Sequence, residues 1–167
     1  MQYYYNPYMP YQGQSFHAAA QPMPRPMPVQ DIDINKALEM IKNAVAGERE
    51  DELFYDYLIS VAPCEEDKQI IRSIRDDERK HNKMFRQIYF ELTGQMLPPS
   101  QDETFEKPAS YIDGIRRALF GELGAVERYR QILFNLPTTQ YKNMLFEIIT
   151  DELKHAHKYN YLYAKNK

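Results

Sequence analysis

The chain has a single cysteine, Cys64, in 167 residues. One thiol excludes an intramolecular disulfide framework and any four-thiolate metal site. It fits a reducing compartment, and a cytoplasmic protein is expected. Long apolar runs are missing too. No stretch approaches the ~18 uninterrupted apolar residues of a membrane-spanning helix, so no membrane partner is expected. Nor do the first residues show the basic segment and apolar run of a secretory leader. Charge of one sign is scarce: 24 Asp and Glu against 21 Lys and Arg leave −3. That balance creates no global field for nucleic acid. The local run "RSIRDDERKHNKMFRQ" reads as a solvated helix face, not a nucleic-acid site.

What is present falls into two unlike parts. Residues 1–30 hold six of the eleven prolines and five of the fourteen tyrosines. Prolines at 22, 24, 26 and 28 forbid a helix there. With almost no charge and no amphipathic period, this segment is expected to be a disordered Tyr/Pro/Met-rich tail. Residues 31–167 are expected to form one domain with a sizeable core.

Four helices are expected in that domain. Leu38, Ile41, Val45, Glu48, Tyr55 and Ile59 share a face of helix 1, about 32–61, which Pro63 ends. Ile71, Ile74, Glu78, His81, Phe85, Ile88 and Leu92 recur every three or four residues on helix 2, about 65–93, stopped by Gly94. Ile112, Ile115, Leu119, Glu122, Tyr129 and Ile132 mark helix 3, about 109–135. Leu145, Ile148, Glu152, His155, Tyr159 and Leu162 mark helix 4, about 138–165. Short links make helices 1 and 2, and helices 3 and 4, antiparallel hairpins. The middle connection, from Gly94 to about Pro108, is long. Fully extended it reaches roughly 45–50 Å. A 28-residue helix is about 42 Å long. The expected fold is therefore an all-α, antiparallel four-helix bundle with a long crossover between helices 2 and 3.

The two hairpins repeat each other. "GEREDELFYDYLI" from Gly47 aligns with "GELGAVERYRQIL" from Gly121, so Glu48 meets Glu122 and Tyr55 meets Tyr129. "DDERKH" aligns with "TDELKH", so Asp77 meets Asp151, Glu78 meets Glu152 and His81 meets His155. The offset is 74 in both cases (122 − 48 and 155 − 81) without a gap. A duplicated helical hairpin explains this.

Residues i and i+3 of a helix lie on one face, ~4.5 Å apart along the axis. Glu78 with His81, and Glu152 with His155, therefore point the same way, while Glu48 and Glu122 sit on the other two apolar stripes. A bundle with these stripes inward gathers four carboxylates and two imidazoles. Each buried carboxylate without a counter-charge would cost several kcal/mol. Two divalent cations supply the balance. Mixed oxygen and nitrogen ligands favour iron, with manganese the alternative; zinc also accepts such a set. Asp77 and Asp151 are expected to orient the histidine of the opposite repeat, the competing reading being surface aspartates. Tyr55 and Tyr129, two turns beyond Glu48 and Glu122, either bond a ligand carboxylate, act in redox chemistry or pack the core. Asp51, three residues after Glu48, either bonds a metal-bound water as a general acid/base, ligates directly or turns to solvent at the stripe's edge.

These motifs, over about residues 32–165, make the chain resemble the ferritin-like superfamily and, within it, the rubrerythrin-type di-iron domain. The resemblance implies two iron ions, bridged by Glu78 and Glu152, with Glu48 and Glu122 as terminal ligands and His81 and His155 completing the shell. It also implies ferrous oxidation, peroxide reduction or iron handling, with O2 or peroxide as partner. Two departures stand out. Rubrerythrins usually carry a rubredoxin domain with two Cys-x-x-Cys pairs; here only Cys64 is present, so an external electron donor is expected. Rubrerythrins place an extra glutamate three residues beyond the terminal ligand of the third helix; here that residue is Ala125, while helix 1 has Asp51. A homo-oligomer, simplest as a dimer, is expected. The competing function is a metal-stabilised structural protein, spore-associated, that assembles through its tyrosine-rich tail.

Overall fold

The computed structural model describes residues 31–46, 48–99 and 105–167, the side chains of 48 and 49 excepted. The expected tail lies outside the described residues. Among the described residues all regular structure is helical: α1 Ile34–Ala46, α2 Glu48–Val61, α3 Glu65–Thr93, α4 Tyr111–Phe134 and α5 Thr139–Asn166. Expected helix 1 appears as α1 and α2, on either side of residue 47. No described helix is long and apolar enough to cross a membrane.

Local chemistry sets the helix ends. The Asp33 carboxylate accepts from Lys36 N–H at 3.0 Å and opens α1. Glu65, Glu66 and Asp67 place negative charge at the amino end of α3. Gly94 ends α3 at φ +70°, a left-handed conformation that suits glycine, and its N–H returns to Phe90 O. Ser110 and Thr138 accept from the N–H groups of Asp113 and Tyr141 to open α4 and α5.

Both α1 and α2 pack on α3 and α4, and α5 packs on the same two helices. The α4–α5 hairpin is the most extensive pair. The cross-section is thus a square in which α1/α2 and α5 stand on one diagonal and α3 and α4 on the other. Two apolar clusters fill it. One contains Ile41, Val45, Phe85, Ile88, Ile132, Leu136, Leu145 and Ile148. The other contains Tyr55, Leu58, Ile71, Ile74, Ile115, Tyr159 and Leu162. Complete burial of one such aliphatic side chain contributes ~1.5–3 kcal/mol. The polar stripe residues, Glu122, Glu152, His81 and His155, are as buried as these apolar ones.

The connection between α3 and α4 is pinned at both ends. The Arg86 guanidinium donates to Leu97 O at 2.8 Å and Pro98 O at 3.0 Å, and Leu97 packs on the first cluster. Phe105 meets Phe54 and Tyr57, beside the second cluster, at centroid separations of 6.4 and 5.7 Å. The described stretches on either side of residues 100–104 therefore lie beside opposite clusters, as a long crossover between α3 and α4 requires. Where it rejoins α4, a Cβ on Gly114 would lie 2.5 Å from Leu58 Cδ2 and 3.1 Å from Pro108 Cγ, so helix and crossover approach closely only at glycine.

Candidate metal centre

Four helices contribute to the polar layer. Helix α3 brings Asp77, Glu78 and His81, α5 brings Asp151, Glu152 and His155, α4 brings Glu122, and α2 brings Asp51 and Tyr55. Glu48 is the first residue of α2, and its side chain lies outside the described residues. Ligand-capable atoms of Glu78, Glu122, Glu152 and His155 all lie within 4.8 Å of one another. His81 joins them, with Nδ1 3.2 Å from Glu152 Oε1 and 3.3 Å from Glu78 Oε2.

The two histidines are held crosswise. His81 Nε2 lies 3.1 Å from Asp151 Oδ2, and His155 Nε2 lies 3.0 Å from Asp77 Oδ2. Each aspartate thus serves the histidine of the other repeat. An Nε2–H that donates to the aspartate turns Nδ1 toward the glutamates. Lys154 also reaches Asp151 and Asp77, at 2.6 and 3.0 Å.

Several atoms in this layer have no hydrogen-bond partner: Glu78 Oε1, Glu152 Oε1 and His155 Nδ1. The case of His155 is instructive. Its Nδ1 is only 3.0 Å from Glu78 Oε1, close enough for an ion pair, yet the two are out of hydrogen-bond alignment. Proximity without alignment leaves both lone pairs available to a third body. Buried oxygen and nitrogen donors in this condition fit divalent cations, and the mixed set suits iron or manganese.

The charges tell the same story. Burial, reinforced by the charge of Glu78, pushes Glu122 up to about 8, and burial also raises Glu152 well above the usual carboxylate range. Burial would lower His81, but the adjacent Glu152 and Glu78 carboxylates win and raise it to about 10. Burial would raise Glu78, but contacts from His155 and His81 hold it below its ordinary value. Without cations the layer neutralises itself with protons.

Two cavities flank the layer. One of about 210 Å³ opens between α2 and α3 and is lined by Asp51, Tyr55, Glu78, His81 and Tyr129 among others. One of about 300 Å³ opens between α2 and α4 and shares Asp51, Tyr55, Glu78 and Tyr129 with it. Tyr55 O–H points toward Glu122 Oε1 at 3.5 Å. Tyr129 packs edge-on against Phe85, with centroids 5.0 Å apart. Asp51 is exposed by surface area, yet protein atoms crowd its carboxyl. That desolvation first, and the charges of Glu78 and Glu50 next, push it up to about 7.

Tyr159 emerges only from the structure as a neighbour of this layer. It is fully buried, its hydroxyl has no partner, and it stands one turn beyond His155. A second acidic group, Cys64, Glu66 and Asp67, sits at the end of the bundle. There Lys165 Nζ lies 2.6 Å from Glu66 and 2.7 Å from Asp67, while Asn166 and Tyr111 also donate to Asp67. That group is a completed ion-pair knot, not an open cation site. Lys165 and Asn166 stand 98 and 99 residues from Asp67 in sequence and Tyr111 stands 44 away, so no local pattern announces the group.

A ferritin-like bundle with paired glutamate–histidine turns is the class that fold and site define. Residues 39–111 match the family model described as Rubrerythrin. It is 26% identical over 133 residues to the uncharacterized protein YhjR of Bacillus subtilis (strain 168), covering 80% of this chain and 89% of that one. Two solved structures share the fold. A conserved hypothetical protein from Mycobacterium tuberculosis superposes with a TM-score of 0.68 at 14% identity, covering 79% of this chain and 94% of that one. A hypothetical protein from Pyrococcus furiosus gives 0.66 at 20% identity, covering 80% and 95%.

Proposed function

We propose that the protein is a non-haem di-iron oxidoreductase that oxidises Fe(II) or reduces peroxide or O2. The observation that carries this reading is the set of buried donors without partners, Glu78 Oε1, Glu152 Oε1 and His155 Nδ1, at the centre of two related halves. Glu78 and Glu152 would be shared between two ions, Glu48 and Glu122 would each hold one, and His81 and His155 would complete the set. Manganese suits the same donors. Asp77 and Asp151 fix the imidazoles so that Nδ1 faces inward. When bound, the metal pair supplies electrons to the oxidant and charge to hold it.

The chain's own residues supply the rest. The paired apolar clusters exclude water from both ends of the layer. Asp51, shared by both cavities, holds or releases a proton beside the oxidant. Tyr55 steadies Glu122 through its hydroxyl. Tyr129 closes the cavity wall from α4. Electrons for turnover come from an external donor.

Anaerobic titration with Fe(II), followed by exposure to O2 and separately to peroxide, tests the reading. Two ions per chain, and oxidation faster than that of Fe(II) in buffer, are expected. Binding without accelerated oxidation by either oxidant would leave a metal-stabilised structural protein instead.

A further inference from the structure

The internal repeat sets two lysines in equivalent places, and the structure uses them differently. The 74-residue offset pairs Lys80 with Lys154, as it pairs Asp77 with Asp151. Each lysine stands three residues after the aspartate of its own helix, at the seam between α3 and α5. Lys80 turns to Glu147 across that seam. Lys154 closes on both aspartates instead. Its Nζ donates to Asp151 Oδ1 at 2.6 Å and lies 3.0 Å from Asp77 Oδ2. One pair of side chains accounts for the difference. The same offset sets Ser73 of α3 against Glu147 of α5. The Glu147 carboxylate draws Lys80 away from the aspartates. Ser73 carries no charge to draw Lys154, and its hydroxyl accepts from Lys158 at 2.9 Å.

The two aspartates that meet at Lys154 are the ones that hold the histidines. Asp77 Oδ2 lies 3.0 Å from His155 Nε2, and Asp151 Oδ2 lies 3.1 Å from His81 Nε2. Both carboxylates touch one ammonium, so their nearest oxygens are no further apart than the sum of those two contacts. Their side chains are sheltered, 30% and 19% exposed. Two like charges at that range repel unless a cation stands between them. An aspartate that swings away takes with it the hydrogen bond that aims an imidazole. Lys154 is therefore the side chain through which both imidazoles are held at once.

We propose that Lys154 is a positioning residue that locks His81 and His155 together, so that the two ion positions are prepared as a unit. This rests on the metal reading given above, and Lys154 acts in it through the two aspartates. The lysine of the first repeat has no such part, because Glu147 has taken it.

Anaerobic equilibrium dialysis of the metal-free full chain against Fe(II), read by elemental analysis, tests this without redox turnover. Lys154→Met is expected to weaken both binding steps at least about ten-fold, the low end of the ~10–100-fold carried by hydrogen-bond partners of ligating histidines. Lys154→Arg keeps the charge and should recover part of the loss. Lys80→Met, at the equivalent place in the other repeat, should bind as the wild type does. Helix content by circular dichroism should not change, because a half-exposed ion pair adds little to folding. If Lys154→Met loses helix, Lys154→Gln takes its place and must weaken both steps. Wild-type affinity in the Lys154 variant overturns the proposal. So does a loss confined to one step, a loss equalled by Lys80→Met, or a loss that arginine does not reduce. A wild-type chain that takes up no Fe(II) overturns the metal reading as well, whereas two ions held alike by every variant leave that reading standing and remove only the role of Lys154.

Discussion

Glu78 and Asp51 face the same cavities with opposite electrostatic settings. Glu78 is held below its ordinary pKa by two imidazoles, and Asp51 is lifted to about 7 by crowding and by Glu78 itself. The first is built to stay ionised, the second to exchange a proton near neutrality. Glu78→Ala is therefore expected to lose both ions, because a shared carboxylate serves each; elemental analysis of the purified variant checks this, and two ions retained would remove Glu78 from that place. Asp51→Ala is expected to keep both ions but slow oxidation at least ten-fold, the low side of the ~10²–10⁴ range for general acid/base groups. Stopped-flow mixing with O2 and with peroxide reads it, and wild-type rates with both would leave Asp51 without a catalytic part. Much at this scale was legible in the sequence. Glutamate and histidine on an apolar stripe, repeated at one offset, pointed to the layer, and the aspartate before each glutamate pointed to the crossed contacts. The orphan hydroxyl of Tyr159 was not legible, because a tyrosine on a core stripe looks the same whether or not its oxygen finds a partner.

At the scale of elements, the bounds of α3, α4 and α5 fall within two residues of the periodicity reading, because caps and prolines mark them in the chain itself. What periodicity could not give was contact between distant segments. The close approach of Gly114 to Leu58 and Pro108 is one such contact, and the knot around Asp67 is another. Gly114→Ala places a methyl where Leu58 already sits. The expected cost is roughly 1–3 kcal/mol, the usual range for overpacking. Combined with Leu58→Ala the loss should be less than the sum of the two single losses, as for residues in contact. Thermal melts of the three variants decide it, and simple additivity would mean that the crossing accommodates the methyl elsewhere.

For the whole molecule, protons and metal compete. Asp51, Glu122 and His81 all have folded pKa values above their ordinary ones: about 7 from 3.8, about 8 from 4.5 and about 10 from 6.5. The folded chain thus binds more protons than the unfolded one between about pH 4 and 10, and stability must fall as pH rises through that window. The depressed carboxylates Asp77 and Asp151 act in the opposite sense, but only at acid pH. The metal-free protein is expected to melt several degrees lower at pH 9 than at pH 6, at ~2–4 °C per kcal/mol for a chain of this size. Saturating Fe(II) under anaerobic conditions, or Mn(II), should remove the trend, with protons released on binding. Calorimetry across pH, with and without metal, checks both, and a metal-free Tm that rises from pH 6 to 9 would contradict the assignment. Deletion of residues 1–30 should leave metal stoichiometry and helix content unchanged, because every described ligand candidate lies beyond them.

The crossed aspartates carry a last consequence. Because Asp77 braces His155 and Asp151 braces His81, neither hairpin owns a finished coordination sphere. Half of the chain, emerging first during synthesis, would hold a histidine with no clamp and a glutamate with no opposite number. Under the proposed function, metal capture would await docking of the second half. The same reciprocity means that two identical hairpins, related by a two-fold axis, would satisfy every one of these contacts. A single hairpin of this pattern that paired with its own copy would thus close the same contacts without the connection between the halves.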